Sequence, residues 1–451
     1  MATDRKPEYF KGAHLKVGII GCGYVGLPLG LRFAGAGHHV IGFDVDKTKV
    51  EKLNRGESYI QHIPVAKIRQ FVASKHFSAS TDFSRLGEMD AILICVPTPL
   101  DDRREPDLTY VRETAEAIAP NLQQGQLIVL ESTTYPGTTE ELVLPILGRG
   151  GMNCPIAHGP DAENIPTDFF LAFSPEREDP GNKQFGLAQI PKVVGGTNPP
   201  SGRAAAALYA QVVSRVVPVG STRTAEMAKL LENIFRCVNI ALVNELKQLG
   251  LRMGIDIWEV IDAAATKPFG FMPFYPGPGL GGHCIPVDPY YLSWKAREFD
   301  FSTRFIELAG EVNTAMPYNV VDAIAEALNR RKKALNGSRV LVLGVAYKKD
   351  VDDLRESPSL KIMELLTARG ANVEYNDPYF PQLHKMRHYD YSSKKSTPLD
   401  VNTLASFDCV VIATDHTSYD YAAIVESSQL VVDTRNATRR LLRHRERIVL
   451  C

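Results

Sequence analysis

The stretch that decides the fold is Leu15-Lys16-Val17-Gly18-Ile19-Ile20-Gly21-Cys22-Gly23-Tyr24-Val25-Gly26. Residues 15–20 have the apolar run of a buried strand, and residues 27–36 read as a helix. Strand, G-x-G-x-x-G turn and helix, in that order, make a dinucleotide-binding fingerprint. Gly21 makes the tight turn, Gly23 lets the backbone approach a pyrophosphate, and Gly26 lets helix and strand pack closely. The helix N-terminus at Tyr24 and Val25 offers free N–H groups to the phosphate charge. A second strand, 39–43, ends at Asp44, whose carboxylate can accept from both ribose hydroxyls and would repel a 2′-phosphate. NAD is therefore favoured over NADP. Lys49 stands either beside the adenosine or as a solvated helix lysine.

Working outward, residues 91–96 and 127–130 read as further strands with helical stretches between, the alternation of a parallel, doubly wound sheet. The turns 96–99, with Thr98, and 131–137, with Thr133, follow two of these strands and fall where the sheet would border a nicotinamide. Thr133 either orients a water or the cofactor, or is a simple turn residue. The middle of the chain is helical. Met227, Leu230, Leu231, Ile234, Val238, Ala241, Leu242, Leu246 and Leu249 form a 3.6-residue stripe over 224–253. A second helix is predicted over 304–334, kinked or interrupted by Pro317 and stopped by Asn336-Gly337. Such helices between two sheets suit a spine and a dimer surface. Strands 339–345, 372–375, 409–413 and 430–433 then return to α/β, with Lys348 and Lys349 where the triple glycine would be. Residues 186–196 and 392–398 read as loops. The expected domains are 1–205 for dinucleotide binding, 206–325 helical and 326–451 for a second ligand.

Composition narrows the function. A net charge of -1 gives no case for nucleic acid or an anionic membrane surface. The basic runs 330–333 and 439–447 read as a solvated helix end and a charged tail. Residues 1–16 lack the apolar core of a signal peptide, and no apolar run reaches bilayer-spanning length. The 7 cysteines are scattered and never spaced C-x-x-C, which argues against a zinc site or disulfide framework and for a reducing, cytoplasmic setting.

Four pieces carry chemistry. The run 276–289, Pro-Gly-Pro-Gly-Leu-Gly-Gly-His-Cys-Ile-Pro-Val-Asp-Pro, holds Cys284 and Asp288 in a loop too rich in glycine and proline for helix or central strand. Glu176 and Arg177 lie in the charged loop 174–181. Lys229 and Asn233 lie one turn apart on a helix face distinct from the apolar stripe. Lys348 and Arg435 lie at strand ends of the third part. Singly, each has a bland reading: a surface lysine, an inert buried thiol, a loop carboxylate.

Together, GCGYVGLPL, ESTTYPGTT, FSPEREDPGN, AEMAKLLENIFR, FYPGPGLGGHCIPVDPYYL and GVAYKKDVDDLRESPS stand in one order. The chain resembles the UDP-glucose/UDP-mannuronate dehydrogenase family, the nucleotide-sugar 6-dehydrogenases, from about residue 15 to 435. The resemblance implies an N-terminal Rossmann NAD domain, a central helical dimerisation domain and a C-terminal Rossmann-like UDP-sugar domain, in a homodimer or higher homo-oligomer. It implies a four-electron oxidation of a sugar C6 alcohol to a carboxylate, serving surface polysaccharide or O-antigen assembly. In that chemistry Lys229 and Asp288 assist removal of the hydroxyl proton, and Cys284 adds to the aldehyde. Lys229 and Asn233 stabilise the oxyanion, and Glu176 or Asp288, with Thr133, aligns the hydrolytic water. Lys348 and Arg435 hold the UDP end. Gly281, Lys267 and Tyr275 contact phosphate or sugar, the last two from a neighbouring subunit. The loop 174–182 and the segment 266–273 are similar to the UDP-N-acetylglucosamine 6-dehydrogenase branch, and Arg177 is expected to reach an acetamido carbonyl. UDP-glucose and UDP-N-acetylmannosamine remain alternative substrates. A two-electron hydroxyacid dehydrogenase with a structural Cys284, and an NAD-binding regulatory protein with a decayed site, are the other readings.

Overall fold

A computed structural model describes residues 5–60, 63–101, 103–177, 189–282, 285, 287–386 and 388–451. The chain divides into two compact units, Met1–Glu232 with Tyr290–Phe301, and Asn233–Pro289 with Ser302–Cys451.

The first unit is built on β1 (Lys16–Ile20), β2 (His39–Phe43), β3 (Phe77–Ser80), β4 (Ala91–Ile94), β5 (Leu127–Leu130), β6 (Phe170–Phe173), β7 (Lys192–Gly196) and β8 (Val216–Val219). Their order in the sheet is β3-β2-β1-β4-β5-β6-β7-β8, parallel except where β6 meets β7. The strands β4, β5 and β6 are buried at every residue, because helices cover both faces of a parallel sheet. The strand order reverses between β1, which pairs with β2 on one side, and β4 on the other. That switch point is where doubly wound sheets open a crevice at their carboxyl ends. It brings the glycine turn, Asp44 and the turns after β4 and β5 to one edge.

The expected loop 186–196 is corrected over its described end: residues 192–196 form the buried strand β7. Its glycines disguise it. They are there because a Cβ on Gly195 would sit 2.0 Å from the Ser221 carbonyl oxygen, and one on Gly196 2.2 Å from the Gly202 nitrogen. β8 carries Pro218, tolerable because β8 is an edge strand.

The second unit holds β9 (Arg339–Leu343), β10 (Asn372–Asn376), β11 (Cys409–Ile412), β12 (Val431–Asp433) and β13 (Ile448–Leu450), all parallel in the order β10-β9-β11-β12-β13. The basic run 439–447 is thus no tail; it leads into an edge strand. The helix Arg304–Arg330 runs unbroken through Pro317 and ends before Asn336-Gly337, at a left-handed Lys332.

The long helix Thr222–Met253 splits the apolar stripe between two surfaces. Its buried face includes Glu226, Lys229, Asn233, Asn244 and Lys247, while Met227, Leu231, Leu242, Leu246 and Leu249 are exposed. Leu230, Ile234 and Ala241 of the stripe are buried along with those polar residues, so the inward face is mixed and only part of the stripe forms an outer surface. Among the described residues no helix is long and apolar enough to cross a membrane.

Candidate active site

The nucleotide end of the first unit is set by three glycines with different constraints. Gly21 has φ +92°, and a Cβ there would lie 2.6 Å from the Cys95 carbonyl oxygen. A Cβ on Gly26 would lie 2.0 Å from the Gly21 carbonyl oxygen. A Cβ on Gly23 would meet nothing within 4 Å. Gly21 and Gly26 are thus required by the protein itself, whereas Gly23 faces open space, as a ligand approach demands. Val25 packs on the core and Tyr24 is exposed. Asp44, buried at the end of β2, accepts from the backbone N–H of Cys22 (3.1 Å) and of Asp46 (3.0 Å). Those bonds fix its carboxylate against the glycine turn, where a ribose would lie. Lys49 sits 3.8 Å from Asp44 and 5.9 Å from the Tyr59 ring centroid, with its side chain 40% exposed. These residues fit an NAD. Thr98 is buried, its carbonyl oxygen accepting from the Tyr291 hydroxyl at 3.0 Å, and Thr133 is half-buried beyond β5.

Lys229 and Asn233 occupy successive turns of the buried helix face. Lys229 is only 7% exposed, which overturns the surface-lysine reading. Among the described residues, the fully enclosed ammonium without a partner on this helix is Lys247 Nζ, not Lys229 Nζ. Asn233 Nδ2 donates to Asp288 Oδ2 at 2.5 Å, and both residues are buried. Asp288 opens the helix Asp288–Ala296, so the helix N-terminus also favours its negative charge. Cys284 lies outside the described residues. The loop leading to it does not: a Cβ on Gly281 would be 2.5 Å from Tyr347 Cβ, and the Gly282 N–H donates to the Arg355 carbonyl at 2.9 Å. The glycines let this loop lie flat against the turns after β9 and before the helix Pro358–Ala368.

Arg177 is corrected. Its guanidinium bonds Glu232 through Nε (3.1 Å) and NH2 (2.5 Å), and the Pro191 carbonyl through NH1 (2.6 Å). A forked donor committed on three nitrogens is not placed for an acetamido carbonyl. Glu176 is half-buried. Its Oε1 accepts the Arg177 N–H at 2.7 Å, and its Oε2 lies 3.4 Å from Lys192 Nζ.

In the second unit the turn after β9 differs from the first. The Val345 and Ala346 N–H groups, which a phosphate would take, donate to the buried Asp377 carboxylate at 2.7 and 3.0 Å. His416 Nε2 lies 3.1 Å from the same carboxylate. An acidic side chain occupies the position of an anion at this turn. Lys348 is half-buried. Arg435 is held by Nε to the Ala413 carbonyl (3.0 Å), and burial lowers its pKa. It lies under the glycine loop, 2.5 Å from where a Gly277 Cβ would be. Gly277 N–H in turn donates to Asn244 Oδ1 at 3.0 Å. Lys267 and Tyr275 lie at the surface, the first 5.0 Å from the Phe269 ring centroid, the second bonded to Asp262 at 2.7 Å.

Sequence spacing gave no sign of Glu131, Lys192 and Tyr209, a buried cluster in which Lys192 bonds Glu131 at 2.5 Å and the Tyr209 hydroxyl donates to Glu131. Among the described residues no group of acidic, histidine and cysteine side chains is arranged to hold a metal.

Comparison with known proteins agrees with this layout. Residues 15–213 match the NAD binding domain of the UDP-glucose/GDP-mannose dehydrogenase family, residues 223–315 its central domain and residues 341–440 its UDP binding domain. A UDP-N-acetyl-D-glucosamine 6-dehydrogenase of Pseudomonas aeruginosa is 33% identical over 407 residues, 90% of this chain and 91% of that one. A UDP-N-acetyl-D-mannosamine dehydrogenase of Escherichia coli K12 is 36% identical over 416 residues, covering 89% and 94%. The solved UDP-D-ManNAc dehydrogenase of Pyrococcus horikoshii superposes with TM-score 0.84 at 30% identity, covering 97% and 98%. The chain belongs to the UDP-glucose/GDP-mannose dehydrogenase family of NAD-dependent UDP-sugar dehydrogenases, with two Rossmann-like domains flanking a helical one.

Proposed function

We propose that this protein oxidises the C6 hydroxyl of a UDP-N-acetylhexosamine to a carboxylate, with UDP-N-acetylglucosamine as the substrate and its uronate as the product. The observation that carries the reading is the inward-facing polar side of the long helix: Lys229, only 7% exposed, and a buried Asn233 bonded to a buried Asp288. Polar groups at that cost are kept for chemistry more readily than for packing.

NAD, held by Gly21, Gly23, Gly26 and Asp44, supplies the hydride acceptor for both oxidations. Lys229 and Asp288 ease removal of the hydroxyl proton in the first. The Cys284 thiolate then forms a C–S bond to the C6 aldehyde, and the carbonyl oxygen becomes an oxyanion that Lys229 and Asn233 stabilise. Loss of the second hydride from that adduct leaves a thioester. Water aligned by Glu176 or Asp288 adds to it, the C–S bond breaks, and the thiol is regenerated with the acid. Covalent capture keeps the aldehyde from escaping between steps. Lys348 and Arg435 anchor the UDP end, and Lys267 and Tyr275 are offered at the surface to a neighbouring subunit. The exposed Met227, Leu231, Leu242, Leu246 and Leu249 support assembly of at least a dimer through the central helices.

Substrate choice rests on the similarity of loop 174–182 and segment 266–273 to the N-acetylglucosamine branch; the relatives themselves divide between two acetamido sugars. NADH formation measured side by side with UDP-glucose, UDP-N-acetylglucosamine and UDP-N-acetylmannosamine tests it. Fastest turnover of UDP-N-acetylglucosamine is expected. Turnover of UDP-glucose alone would overturn the acetamido assignment, and no NADH from any of them would return the chain to a regulatory NAD-binding role.

A further inference from the structure

Behind Glu176 lies a cluster that the chemistry above does not use. Glu131 follows β5, Lys192 opens β7 and Tyr209 ends the helix Pro199–Tyr209. All three are buried. Lys192 Nζ lies 2.5 Å from Glu131 Oε2, 3.4 Å from Glu176 Oε2 and 5.3 Å from the Tyr209 ring centroid. The Tyr209 hydroxyl donates to the other oxygen of Glu131. One ammonium is therefore shared by two carboxylates of unequal setting. The Glu131 side chain is 0% exposed and that of Glu176 16%.

A buried lysine needs one carboxylate to be tolerated, and Glu131, satisfied at both oxygens, supplies it. A second carboxylate on the same ammonium adds nothing to that pairing. It leaves one ammonium shared between two carboxylates, of which Glu176 is the nearer to solvent. Glu176 is held at both oxygens, by the Arg177 N–H and by Lys192. We propose that Lys192 is a positioning residue that keeps the Glu176 carboxylate ionised and aimed at the hydrolytic water, with Glu131 and Tyr209 fixing the ammonium in place. This rests on the thioester-hydrolysis reading of Glu176. Burial and the two carboxylates act on Lys192 in opposite senses, and the carboxylates prevail, holding its pKa above the ordinary lysine value. Burial also raises the Glu131 pKa, against the pull of Lys192 and Tyr209, and among the described residues the other titratable groups facing the cluster are the Cys95 thiol, whose pKa burial raises well above the ordinary thiol value, and Cys22 beyond it. One residue past Glu176 lies Arg177, tied to Glu232.

The two neighbours of Glu176 make opposite predictions. Removing Glu131's charge leaves the ammonium to Glu176 alone, so Glu131→Gln moves the acid limb of the hydrolysis rate to lower pH. Lys192→Met moves it to higher pH by about one unit, the effect of losing a cation at this range. Lys192→Arg restores the wild-type limb. Lys192→Met/Glu131→Gln, which buries no unpaired charge, guards against misfolding and keeps the upward shift. The full-length protein is mixed with UDP-N-acetylglucosamine and NAD at a series of pH values. Acid quench and intact-protein mass then follow the decay of the covalent sugar adduct. Limbs displaced in opposite directions by the two single variants support the proposal; folded variants with the wild-type limb overturn it. Glu176→Gln separates the premise: if that variant accumulates no adduct, the hydrolysis reading itself fails.

Discussion

A methyl group has opposite consequences at Gly23 and Gly26. At Gly26 it would strike the Gly21 carbonyl oxygen at 2.0 Å, and backbone must move. Gly26→Ala is expected to destabilise the first unit by about 1–3 kcal/mol, the range for overpacking. At Gly23 the methyl meets only open space. Gly23→Ala should leave stability within about 0.5 kcal/mol of wild type and weaken NAD binding at least ~10-fold, or about 1.4 kcal/mol. Chemical denaturation and NAD titration of the two variants check this; equal NAD affinity in Gly23→Ala would remove the phosphate from that turn. These glycines and Asp44 were legible in the sequence because their partners are local and their spacing follows from turn geometry. Arg177 was not. Its partner Glu232 is 55 residues away, and Lys192 and Glu131 are 61 apart, so no spacing rule announces either pair.

The long helix shows why the element was readable and the split of its stripe between two surfaces was not. A 3.6-residue period reports a helix with two faces, but not which face meets the protein when the apolar one is reserved for another surface. Helix and most strand ends agree with the sequence because apolar runs and glycines mark them. β7 was missed because its glycines, placed to avoid the backbone of residues 202 and 221, look like a loop. The inward face carries a further consequence. Glu226 accepts from the N–H groups of Gly137 (2.6 Å) and Thr139 (3.0 Å) and from the Thr139 hydroxyl (2.7 Å). Burial nevertheless outweighs those bonds and lifts its pKa from 4.5 to about 7. A carboxyl raised on folding stabilises fully below its unfolded pKa and loses that contribution as pH climbs through the folded value. Stability from this group should therefore fall by roughly 3 kcal/mol between about pH 4.5 and 7. Urea midpoints across that window should show a flatter pH dependence in Glu226→Gln than in wild type. Equal slopes would mean that Glu226 is ionised throughout.

For the molecule as a whole, the exposed leucines of the same helix set up a test of oligomeric state. Leu231 is 61% and Leu242 53% exposed in the single chain, an unusual outlay of leucine on one surface. Sedimentation of wild type should give a dimer or larger species, and Leu242→Glu/Leu249→Glu should give the monomer; a monomeric wild type would leave the stripe unexplained. The order of domains was legible from the alternation of strand and helix. The catalytic assignment came from motifs read together, since each residue alone had a bland explanation. Its central claim is a four-electron oxidation through a thiol, and product stoichiometry tests that most directly. With limiting UDP-N-acetylglucosamine carried to completion, the account predicts two NADH for each uronate formed, and almost no uronate from Cys284→Ser. One NADH per sugar with free aldehyde, or acid produced by Cys284→Ser at the wild-type rate, would contradict it.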